Sequence, residues 1–138
     1  HAGGLKFKAS IKKEIKIFSI IGIGIATVFW FFSNEIIMLI YGEKFYQSIS
    51  ILNILAPGIF LFFVNFLLSN VLITSGREQI NAWVLVIATI FNILLNLILI
   101  PRFGGEGAAW ATVSCEALIV FIMSIQIKKL NRIRMVKL

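Results

Sequence analysis

Glu116 lies near the middle of an apolar run that covers residues 107–127. An ionised carboxylate facing hydrocarbon costs several kcal/mol, so this one needs a partner, a proton or water. Proton-coupled movement of a solute is the chemistry such a residue supports, and no Lys or Arg of this sequence sits at its depth. Asn92 and Asn96, four apart in the preceding apolar run, fall on one helical face and point together at a neighbouring helix or cavity. Asn65 is a further polar group on an apolar stretch. These residues are candidates to line a polar path or to couple a transported ion, and interhelical hydrogen bonding is the simpler alternative. The expected partner of Glu116 is Asn92, Asn96, a neighbouring hydroxyl or a helix outside this chain.

Other chemistry is excluded by arithmetic. The sequence has no Asp, one cysteine (Cys115) and one histidine (His1), so disulfide frameworks, zinc sites and histidine-based catalysis are ruled out. No catalytic residue, metal ligand or cofactor is expected, and the chain is not read as an enzyme. Gly105-Glu106-Gly107-Ala108-Ala109-Trp110 looks like a dinucleotide loop but puts a bulky Trp at the last glycine position and follows a run far longer than a strand. A Gly-Lys-Ser/Thr phosphate loop is absent. Cys115 reads as a small buried apolar residue.

Hydrophobic residues make up 59% of the 138 and charged residues 14%, against about half and a quarter in soluble domains. So small a domain cannot bury several helices that are apolar all round, which leaves lipid to cover them. The fold class expected is therefore all-α: a polytopic membrane protein with four transmembrane helices, about 14–33, 48–74, 79–100 and 107–127, and a short interfacial helix. The charge of +7 gathers at the two ends, in Lys6, Lys8, Lys12, Lys13 and Lys16 and again in Lys128, Lys129, Arg132, Arg134 and Lys137. Without interleaved aromatics or a continuous basic face, nucleic acid is not an expected partner. The bilayer is.

In chain order, residues 1–13 read as a basic cytoplasmic approach with a truncated start, Ser10 capping a helix that begins near Ile11. Gly22 and Ala26 let a neighbouring helix come close. Asn34-Glu35 interrupts the apolar run, and Ile36 to Tyr41 forms the interfacial helix, bracketed by Trp30, Tyr41 and Tyr46. Pro57 and Gly58 mark a helix break in the second span, where proline withholds a donor from the Asn53 carbonyl. Pro101 stops the third span, and a short Pro-Gly link makes the third and fourth an antiparallel pair. In the fourth, Ala108, Ala111, Thr112, Cys115 and Glu116 cluster on a packing side. An even number of spans with basic residues at both ends puts both termini in the cytoplasm, followed by a basic tail, 128–138, that rests on anionic inner-leaflet lipid.

Leu39-Ile40-Tyr41-Gly42-Glu43-Lys44-Phe45 with Ser48, Leu52 to Ala56, Ser75-Gly76-Arg77, the stretch from Asn92 to Gly104, and Gly107 to Thr112 with Glu116 together resemble one family. It is the polysaccharide biosynthesis (O-antigen type) flippases, exporters of lipid-linked oligosaccharide in the multidrug/oligosaccharidyl-lipid/polysaccharide superfamily. The resemblance covers nearly the whole chain and matches the family's C-terminal portion. It implies a multi-pass protein of the bacterial inner membrane that turns an undecaprenyl-pyrophosphate-linked sugar unit from inner to outer leaflet. The partners implied are that substrate and the missing N-terminal helices, which would also bring the cations a pyrophosphate head requires. Two alternatives stand beside it: a small four-helix proton-coupled transporter acting as a dimer, and a non-transporting membrane packing subunit.

Overall fold

The computed structural model describes the backbone of residues 2–136 and the side chains of Lys13 and of residues 16–129. The side chains of Lys6, Lys8, Lys12, Arg132, Arg134 and Lys137, given above to the basic approach and tail, lie outside the described residues. The chain is all-helical in the order α1 (Ala2–Phe31), α2 (Ser33–Ile40), a 3-10 turn (Glu43–Phe45), α3 (Ser48–Thr74) and α4 (Glu78–Val136). The first helix starts at Ala2, so Ser10 lies inside it and not at its start.

Two helices are long and apolar enough to cross a bilayer, Ser48–Thr74 and Glu78–Lys129. A third candidate is the bent pair Lys16–Phe31 and Ser33–Ile40, whose axes diverge by 69°. The bend falls where Asn34-Glu35 interrupts the apolar run, and Glu35 is exposed in the first turn of α2, where a carboxylate suits the helix N-terminus. Gly42, at φ 78°, turns the chain into the 3-10 segment.

The 59 residues of α4 would measure about 90 Å if straight, at 1.5 Å per residue. They are not straight. Gly104 leaves helical geometry at φ 57°, ψ −131°, a region that L side chains rarely adopt. Beyond it the backbone turns back so closely that a Cβ on Gly107 would run into the Leu99 carbonyl. Farther along, the Cys115 thiol donates to the Ala88 carbonyl at 3.2 Å, a contact that 27 residues of continuous helix would hold about 40 Å apart. The first arm (78–103) and the second (105–136) are thus antiparallel. Pro101 does not stop the first arm, and the reversal occupies one glycine where a six-residue link was expected.

α3 lies between α1 and α4. It is antiparallel to α1: Phe18 meets Phe66 with ring centroids 6.1 Å apart, Gly22 abuts Phe63, and Pro57 lines a groove beside Ala26, Thr27, Trp30 and Phe31. Against the second arm of α4 it runs parallel, with Gly58 under Val113 and Ser69 at Met123. Leu72, Val84, Ala88, Ile119 and Met123 form a buried cluster drawn from α3 and both arms.

The break expected at Pro57 and Gly58 is not there, because α3 is one helix from Ser48 to Thr74. A proline deletes a single rung of the ladder, and the rungs on either side continue. Gly58 has another use. It is buried, and a Cβ there would sit 3.1 Å from Val113, so its missing side chain admits the second arm.

Gly107→Ala is expected to destabilise the hairpin by about 1–3 kcal/mol, since only backbone movement can relieve the overlap. Gly24→Ala, with nothing near its added methyl, is expected to stay within about 0.5 kcal/mol of the parent. Thermal midpoints in one detergent compare the two, and equal midpoints would refute the close approach.

Candidate polar site between the helices

At about the middle of the bundle, α3 presents Asn65 and Ser69 one turn apart, and the second arm of α4 presents Glu116 and Met123. The Asn65 amide Nδ2 donates to Glu116 Oε2 at 3.0 Å. Ser69 Oγ lies 3.4 Å from Asn65 Oδ1 and 3.7 Å from Met123 Sδ, close enough for its hydroxyl to donate to either. Asn65 is 9% exposed and Glu116 half-buried. One residue before Glu116, Cys115 ties the second arm to the first through the Ala88 carbonyl. Three apolar helical segments are therefore joined by polar contacts immediately beside the buried cluster.

This arrangement corrects the partner expected for Glu116. Asn92 and Asn96 bond to each other instead, Asn96 Nδ2 donating to Asn92 Oδ1 and to the Asn92 carbonyl, both at 2.9 Å. They lie on the first arm, nearer the reversal than Ala88, and both are half-buried. The structure brings Asn65 and Glu116 together and sets the Asn92–Asn96 pair apart from them. Of the predicted packing side of the fourth run, Ala111 is buried and Cys115 half-buried, while Thr112 is exposed and bonds back to the Ala108 carbonyl at 3.0 Å.

Ser69 escaped the sequence reading. Its signal was the four-residue spacing from Asn65, which repeats the Asn92–Asn96 spacing one helix earlier.

Chemically, one oxygen of the Glu116 carboxylate is held by an amide and no cation faces it from α3 or from either arm among the described side chains. The second carboxylate oxygen can accept hydrogen bonds from a passing ligand without an ion pair having to break. No group of His, Cys, Asp and Glu suited to a metal occurs among the described residues.

The direction of each helix also sorts the charges. Lys13, Lys16, Arg77, Lys128 and Lys129 collect at one end of the bundle with Glu78. The other end carries Glu35, Glu43 and Glu106 with Lys44 and Arg102.

An apolar bundle with one amide–carboxylate contact at its centre is what a membrane protein with an internal polar element requires, and comparison with known proteins agrees. The family model MatE matches residues 5–98. The chain belongs to the MatE family. This places it in the multidrug/oligosaccharidyl-lipid/polysaccharide superfamily. Over 89 residues, 64% of the chain and 18% of the relative, it is 33% identical to a protein named uncharacterized membrane protein MJ1068 from Methanocaldococcus jannaschii. Over 81 residues, 59% of the chain and 17% of the relative, it is 36% identical to the probable low-salt glycan biosynthesis flippase Agl15 of Haloferax volcanii. The matched segments span less than a fifth of the length of these two relatives. No solved structure matches the chain.

A double-mutant cycle on Asn65→Ala and Glu116→Ala should give a coupling energy of about 0.6–1.7 kcal/mol, the range for interhelical hydrogen bonds in membranes. Additive losses in unfolding free energy would show that the two side chains do not communicate.

Proposed function

We propose that this chain is the C-terminal membrane portion of a transporter that carries a lipid-linked oligosaccharide from the inner to the outer leaflet for cell-surface polysaccharide synthesis. The observation that carries the reading is the Asn65–Glu116 contact, a polar element at mid-depth in helices otherwise apolar. A lipid tail can remain in the bilayer while its sugar head crosses, and the head needs hydrogen-bonding side chains along the way. Asn65 and Glu116 supply such a station, and Asn92 with Asn96 a second one nearer the reversal. The family match and the flippase named among the relatives support transport as the activity. The resemblance to the O-antigen type supports an undecaprenyl-pyrophosphate substrate and a bacterial inner membrane.

In this reading the polypeptide crosses four times: α1 with α2 lying at the interface, α3, and each arm of α4. The basic end faces the cytoplasm and holds both termini, in keeping with the distribution of Lys and Arg around short loops. Remaining helices of the transporter supply the cations for the pyrophosphate and the opposite wall of the path. Alternating access then moves this bundle against them around the mid-depth site.

Glu116→Gln keeps a carbonyl to accept the Asn65 amide while removing the carboxylate. We expect it to lower lipid-linked sugar export by about tenfold, the size of the difference between hydrogen bonds to a charged and to a neutral acceptor, with expression and thermal midpoint held. Unchanged export would assign Glu116 to packing. For the layout, Lys44→Cys in a Cys115→Ala background should react with an impermeant maleimide added to intact cells, and Arg77→Cys only after permeabilisation. The reverse labelling pattern would invert the bundle and remove the basis for the transport direction.

A further inference from the structure

A helix offers the hydroxyl of Ser or Thr a ready acceptor, the main-chain carbonyl four residues back. All four threonines of the chain take it: Thr27 donates to Ile23, Thr74 to Asn70, Thr89 to Leu85 and Thr112 to Ala108, at distances between 2.7 and 3.0 Å. Ser69 turns to side chains instead. Its Oγ lies 3.4 Å from Oδ1 of Asn65, four residues back, and 3.7 Å from Met123 Sδ on the second arm of α4. Both distances are long for a hydroxyl, the placement of one hydrogen between two acceptors.

The amide of Asn65 has two unlike ends and is buried, so each end needs a partner of its own kind. A carboxylate only accepts, and Glu116 Oε2 takes the Nδ2 end at 3.0 Å. Oδ1 is left on the other side of the amide, where Ser69 is the donor it meets. At Asn53 and Asn81 the same atom is buried without a protein donor, so the helices do not supply one by default. A hydrogen accepted at Oδ1 also polarises the amide and makes Nδ2–H the better donor, and the two bonds strengthen each other. Ser69 O–H to Asn65 and Asn65 N–H to Glu116 thus form one directed run from α3 into the second arm of α4.

We infer that Ser69 is a positioning residue of the mid-depth site: its hydroxyl holds the Asn65 amide with Nδ2 toward Glu116, and Met123 Sδ competes for the same hydrogen. The inference rests on the site used in the transport reading and adds a residue that acts on Glu116 through Asn65. Its readout needs no substrate, so export that is indifferent to Glu116 and an amide that is indifferent to Ser69 are separate failures.

The test is solvent exchange of the Asn65 side-chain amide protons, followed by NMR on asparagine-labelled protein in lipid nanodiscs, with the signal assigned by its loss in Asn65→Ala. Ser69→Ala should speed this exchange about tenfold, the equivalent of one ordinary hydrogen bond. Ser69→Cys, a weaker donor of similar shape, should fall between parent and alanine variant, and carries the test if the alanine variant does not fold. Met123→Leu removes the competing acceptor at nearly constant volume and should leave exchange equal to the parent's or slower. Ser50→Ala is the control, a hydroxyl lost from the same helix whose partner is the Gln47 carbonyl, and should change nothing. A Ser69 that only fills space would lower the thermal midpoint when replaced and leave the Asn65 protons as protected as before. That result overturns the inference, as does a Met123→Leu variant that exchanges as fast as Ser69→Ala.

Discussion

The approach of the Gly107 backbone to the Leu99 carbonyl is the constraint on which the rest of the bundle depends. Any side chain at that point holds the two arms of α4 apart, and an α-helix reverses within one residue only if that residue tolerates the φ and ψ of Gly104. Once the arms lie together, Cys115 reaches Ala88 and Glu116 is carried to a height where α3 offers Asn65. Gly58 then lets the second arm settle onto α3 through Val113. The small residues set the distances, and the polar contacts follow from them.

In hydrocarbon the hydrophobic effect does not favour one helix contact over another, so packing and hydrogen bonding choose the neighbours. That is why the few polar side chains of this chain carry so much of its specificity. Asn65, Ser69, Glu116 and Cys115 join three segments over a short height, beside the apolar cluster around Leu72 and Met123.

Much of this was legible in the residues. Two apolar helices of membrane-spanning length with a bent pair as a third candidate, the interruption at Asn34-Glu35, and the reversal in the Pro-Gly region appear where composition and local propensity place them. The two prolines misled. Pro57 and Pro101 were expected to end or break helices, yet both sit inside them, because a helix held by neighbours on its flanks survives the loss of one hydrogen bond. Helix termini were also misplaced at Ala2, since a cap such as Ser10 favours a start without requiring one.

By itself the sequence determined that this chain is helical, apolar and basic at its two extremities, because these follow from side-chain composition and its period along the chain. Only the tertiary structure decided which polar groups meet. Asn92 and Asn96 are a visible pair at helical spacing and found each other, whereas Asn65 and Glu116 are 51 positions apart and share no periodicity. Their contact depends on the parallel register of α3 against the second arm of α4, which is set by close packing at Gly58 and Gly107. Register between helices is a property of how surfaces fit, and no single stretch of residues contains it.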